Sequence, residues 1–76
     1  MSLYERGCET QDGKLICDFQ DGKDGPIVNI VMGVDDSGNP VLMKSKPNGP
    51  MDKSKVIEAQ KMAAEKIRVI KQSGEF

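Results

Sequence analysis

The stretch from Ser54 to Gln72, SKVIEAQKMAAEKIRVIKQ, constrains the fold most. It contains neither Gly nor Pro and is built from strong helix formers. Val56, Ala59, Ala63, Ile67 and Ile70 recur at spacings of three and four, so they line one face of a helix, with Ile57 and Ala64 at its margin. Asp52 or Ser54 suits the N-cap and Gly74 a C-terminal stop, which puts the helix at 52–72. Such a helix is stable only when its apolar face lies on something, and the rest of the chain must supply that surface.

The preceding residues read as strands. ERGCETQDGKLICDF, residues 5–19, is a β-hairpin turning at Asp12-Gly13, because a type I′ turn needs φ > 0 at both central positions. That turn sets Gln11 opposite Lys14, Thr10 opposite Leu15, Glu9 opposite Ile16 and Cys8 opposite Cys17. Counting outward from the bonded pair Gln11/Lys14 makes Cys8/Cys17 a non-hydrogen-bonded pair, the kind with the closer approach. The two cysteines can therefore meet whether or not they are oxidised. MSLYERGCE carries no apolar signal-peptide core, which favours reduced thiols packed as small apolar side chains, with a disulfide as the alternative. With no His and no further Cys, the pair cannot complete an ordinary zinc site.

Residues 20–26, QDGKDGP, form a loop whose Asp-Gly steps are turn chemistry; the run lacks the acid spacing of a calcium loop. IVNIVMGV, residues 27–34, is the clearest strand. Val28, Ile30, Met32 and Val34 share one face, and the other, Ile27, Asn29, Val31 and Gly33, is mostly apolar too. This predicts a central strand, or one whose second face meets a partner, with Gly33 marking a bulge or close approach. After the connection at Asp35–Pro40, strict alternation along VLMKSK (41–46) points Val41 and Met43 one way and Leu42, Lys44 and Lys46 the other, as on an edge strand. The second hairpin is thus 27–46, and Pro47-Asn48-Gly49-Pro50 turns the chain into the helix.

The expected architecture is α+β: a small antiparallel sheet of two hairpins with one C-terminal helix on a face, β-β-β-β-α, in one domain spanning residues 1–76. The order of the hairpins within the sheet stays open. Met1-Ser2-Leu3 and Gly74-Glu75-Phe76 are set aside from the fold argument on the expectation, left open by the sequence, that they are vector-encoded.

The net charge of −1 hides an asymmetry. Residues 1–40 hold eight acids against three bases, and residues 41–76 eight bases against four acids. The interleaving of Glu with Lys on the helix makes a solvated surface the ordinary explanation. There is no His to act as a base near neutral pH, no nucleophile motif and no phosphate-binding glycine loop. The reading is therefore non-enzymatic, with no catalytic residue, metal or cofactor. No apolar run approaches the ~20 residues of a membrane span. With no signal peptide apparent, a cytoplasmic location is favoured.

What remains is surface. Met62 and Val69 lie seven residues apart, on a stripe read as nearly opposite the main apolar face, and suggest a second helix contact. The favoured function is a small protein-interaction, regulatory or accessory module acting as a homodimer. Its candidate interface is Ile27, Val31, Met62 and Val69, and its partners are itself and an unidentified protein. The alternative is nucleic-acid binding, with Lys44, Lys46, Lys53 and Lys55 contacting phosphates around the start of the helix. A further alternative is a secreted binding domain stapled by Cys8–Cys17.

Overall fold

The computed structural model describes residues 3–74. Strands β1 (Leu3–Gln11), β2 (Lys14–Asp21), β3 (Ile27–Val34) and β4 (Pro40–Asn48) are followed by one helix, α1 (Lys53–Gln72). The four strands form a single antiparallel meander in the order β1-β2-β3-β4, and α1 packs across one face. This is the expected α+β architecture. β3 lies inside the sheet, and β1 and β4 are its edges.

Local chemistry accounts for the first hairpin. Asp12 (φ 53°) and Gly13 (φ 76°) both adopt the left-handed conformation of a type I′ turn, and the partners run as that turn requires, from Gln11/Lys14 to Cys8/Cys17. Beyond Gly7 a bulge at Arg6 shifts the pairing by one residue. The β3–β4 connection is organised by Asp35, whose carboxylate accepts backbone N–H groups from Ser37 (3.0 Å) and Asn39 (2.8 Å). In the β2–β3 loop, Gln20 Nε2 donates to the carbonyls of Lys23 and Gly25.

The helix begins at its expected cap: Asp52 accepts from the Ser54 N–H at 3.1 Å. Its end is marked by Gly74 (φ 81°). Ala59, Ala63 and Ile67 are fully buried, against Leu15, Cys17 and Phe19 of β2 and Val28, Ile30 and Met32 of β3. The two alanines bring the helix close to the sheet, and Phe19 and Ile67 fill the space around them.

Three expectations need correction. Leu3, set aside as foreign to the fold, is 6% exposed and belongs to the core; Met1, Ser2, Glu75 and Phe76 lie outside the described residues. β4 does not alternate strictly, because a bulge between Val31 and Met32 of β3 leaves Met43 as an extra residue: Lys44 faces Val31, whereas Leu42 faces Met32. Leu42 and Lys44 therefore sit on opposite faces. Met62 is not opposite the buried stripe. At about 100° per residue it lies only ~60° from Ala59, and it is half-buried against the edge of the core.

Ile67→Ala should lower the free energy of unfolding by about 2–5 kcal/mol, whereas Val69→Ala, at a position 59% exposed, should change it by no more than about 0.5 kcal/mol. Urea denaturation of the two variants checks the pair. The Asn39 backbone N–H holds the Asp35 carboxyl below its ordinary pKa; desolvation opposes this, and the Ser37 N–H adds to it. A folded pKa depressed in this way contributes stability above the unfolded value, and the contribution is lost as pH falls through the folded one. Asp35→Asn should accordingly flatten the acid limb of a plot of urea midpoint against pH.

Candidate functional site

The helix leaves the other face of the sheet uncovered, and the strand registers state what lies there. One cross-strand row runs Glu9–Ile16–Val31–Lys44. The next runs Gly7–Asp18–Asn29–Lys46, and a third brings Gln20, Ile27 and Asn48 together. Ile16, Ile27 and Val31 are half-buried by their strand neighbours alone. Met43, displaced by the bulge, lies over Gly33, where a Cβ would come within 2.7 Å of its Sδ atom. The close approach at Gly33 is thus made by a side chain, and the bulge lies at the step from Val31 to Met32 rather than at Gly33, which pairs in register with Val41. Val41 and Met43, 38% and 54% exposed, extend the apolar strip along the β4 side.

This face also carries polar structure. Asn29 Nδ2 donates to Asp18 Oδ1 at 2.6 Å, fixing the amide and the carboxylate at the middle of the sheet. Tyr4 OH donates to Gln20 Oε1. Where β1 bulges, Gly7 has nothing within 4 Å of where its Cβ would be. The result is a cleft of about 390 Å³ bounded by Arg6, Glu9, Ile16 and Asp18.

The four residues proposed as one interface are divided by the sheet. Ile27 and Val31 lie on the open face, while Met62 and Val69 line a shallow groove of about 570 Å³ between the flank of α1 and β1. The Lys66–Glu5 ion pair (2.8 Å) borders that groove. The four lysines proposed as phosphate contacts are divided in the same way. Lys44 and Lys46 stand on the open face, beside Val31 and Asn29. Lys53 and Lys55 belong to the first turn of α1 on the other side, and Lys55 is held 3.7 Å from Asp21.

Cys8 and Cys17 are joined as a disulfide, in place of the favoured pair of thiols. Their Cα atoms are 4.1 Å apart, the close approach of a non-hydrogen-bonded pair that the turn imposes. Cys17 is buried under the helix and Cys8 half-buried at the edge, so the bridge ties edge strand β1 to the core.

No family model matches the chain, and no curated protein or solved structure does.

The residues that sequence reasoning passed over are Glu9, Ile16 and Asp18. Their signal was present: the Asp12-Gly13 turn already set Glu9 opposite Ile16, and extending that pairing across β3 would have completed the row. For the disulfide, closing a loop of this size removes chain entropy worth about 2–3 kcal/mol. Cys8→Ala/Cys17→Ala should lose roughly that amount in urea denaturation, and dithiothreitol should cause a similar loss in the native protein and none in the variant.

Proposed function

We propose that this protein is a small non-enzymatic interaction module that works as a homodimer, with the uncovered face of the sheet as its contact surface. One observation carries the reading: Ile16, Val31 and Met43 form an apolar strip, with Ile27 beyond the Asp18–Asn29 row, on a face that no element of the described residues covers. An antiparallel sheet is commonly packed on one side and solvated on the other, with polar side chains outward. Here the outward side of β3 carries Ile27 and Val31. Burying such a strip against an equal strip stabilises both copies, at about 25 cal/mol per Å² removed from water.

The open face is a better candidate than the helix flank. Met62 is already half-committed to the core, and the groove beside it is bordered by an internal ion pair. Phosphate binding draws less support, because Lys44 and Lys46 lie across the sheet from Lys53 and Lys55.

Sedimentation equilibrium tests the reading. The wild-type chain should approach twice its monomer mass as concentration rises into the hundreds of micromolar. Val31→Glu should stay monomeric at the same concentrations with its far-ultraviolet circular dichroism and thermal unfolding retained. Met62→Lys/Val69→Lys should still dimerise. A wild-type chain that remains monomeric throughout that range rules the homodimer out.

A further inference from the structure

The row Glu9–Ile16–Val31–Lys44 reads acid, apolar, apolar, base from one edge of the sheet to the other. Consider a second copy laid face to face on the first, with the twofold axis parallel to the strands and midway between β2 and β3. The rotation exchanges left and right across the sheet and leaves the level along the strands unchanged. Each row then lies over itself reversed.

Resting on the homodimer reading above, we infer that two copies stack through their open faces about this axis. Glu9 of each copy then pairs with Lys44 of the other, and Ile16 of each packs on Val31 of the other.

Three observations converge on this arrangement. The first is the row itself. Outer strands in a four-stranded sheet are about 14 Å apart at ~4.8 Å per step, so Glu9 and Lys44 of one copy are too distant to pair with each other. Among the described residues neither takes part in an ion pair. The reversed row supplies each with an opposite charge.

The second is the neighbouring row, Gly7–Asp18–Asn29–Lys46. Reversed, it sets Lys46 of one copy above Gly7 of the other, where the missing side chain leaves the cleft. Glu9 and Asp18 both border that cleft, so the incoming ammonium meets two carboxylates; Arg6, also on its rim, bounds the approach. The Asn29–Asp18 pair at the centre falls over its own counterpart, where amide and carboxylate are again complementary.

The third is symmetry. A twofold axis perpendicular to the strands in the same plane would lay each strand over itself, and at the level of this row would set Glu9 over Glu9 and Lys44 over Lys44. Only the parallel axis matches acid to base. Packed sheets lie ~10 Å apart with strands rotated by roughly 30°, a mismatch that long Glu and Lys side chains span. The face offers roughly 500 Å² per copy by strand spacing and rise. That is below the usual ~800 Å² per partner, so a moderate affinity is expected.

The test is charge exchange between copies. Glu9→Lys and Lys44→Glu, each alone, should weaken self-association at least tenfold in sedimentation velocity, because each places like charges opposite each other twice. Mixing the two variants should restore association to within about threefold of wild type, since every contact in that heterodimer again joins an acid to a base. The chain carrying both changes should self-associate as wild type does, which also controls for net charge and folding. If wild type dimerises but the single variants do so equally well, or their mixture stays monomeric, this geometry is overturned and the homodimer reading stands. A monomeric wild type overturns both.

Discussion

The contact of α1 with β2 and β3 is the constraint on which the rest of the molecule depends. A helix is about 10 Å wide, and four strands span about 14 Å between outer axes, so one helix covers one face of this sheet. Ala59 and Ala63 at the contact let the helix axis sit close to the strands, and Ile67 closes the far end. Leu15, Cys17 and Phe19 of β2 and Val28, Ile30 and Met32 of β3 are all buried as a result. The same contact leaves the opposite face bare, because the described chain has no second helix to lay there. The half-buried residues of β3's outer side are therefore a consequence of having a single helix.

Register is the second level of control, and it is local in origin. A type I′ turn at Asp12-Gly13 admits one pairing of β1 with β2, and that pairing brings Cys8 to Cys17 and Glu9 to Ile16. β3 then joins β2 with no shift anywhere along its length, so the row extends from Ile16 to Val31. At β4 the bulge intervenes. Had β4 kept the pairing set at Pro40–Leu42, Lys44 would face Ile30 on the covered side, and the row would end in Met43. A one-residue insertion thus decides which face of the molecule carries the lysines.

These dependencies explain which parts of the structure were legible in the sequence. The first hairpin was readable residue by residue, since turn stereochemistry alone dictates its register. The helix and its buried face were readable from period and composition, and Asp52 from cap chemistry. The bulge in β4 was not, because nothing in VLMKSK departs from alternation; Met43 moves aside by lying over Gly33 of the neighbouring strand, a contact between strands that no single segment encodes. Leu3 was missed for a similar reason, as its burial depends on the far end of β2. Met62 was misplaced by reading two positions as a separate stripe when the angular distance from Ala59 is small. The candidate interface was half legible. Its apolar members on β3 were identified, but the charges that bracket them come from β1 and β4 and share a line only once the sheet is assembled.

Charge along the chain runs from acidic to basic, and the meander gives that gradient a direction in space. In an open sheet whose strand order equals its sequence order, the first and last strands are the two edges. A polarity along the sequence therefore becomes a polarity across the sheet, with Glu9 and Asp18 towards one side and Lys44 and Lys46 towards the other. A hairpin folded back to place β4 beside β1 would instead set Glu9 and the lysines next to each other and let them neutralise within one chain. In the meander Glu9 and Lys44 are held apart by Ile16 and Val31, so along that row the uncovered face is a dipole with an apolar middle. Rotation by half a turn about an axis along the strands superposes such a dipole on its own inverse. Self-complementarity of this kind needs no matched evolution of two surfaces: it follows from sequential strand order, one uncovered face and a single charge gradient along the chain.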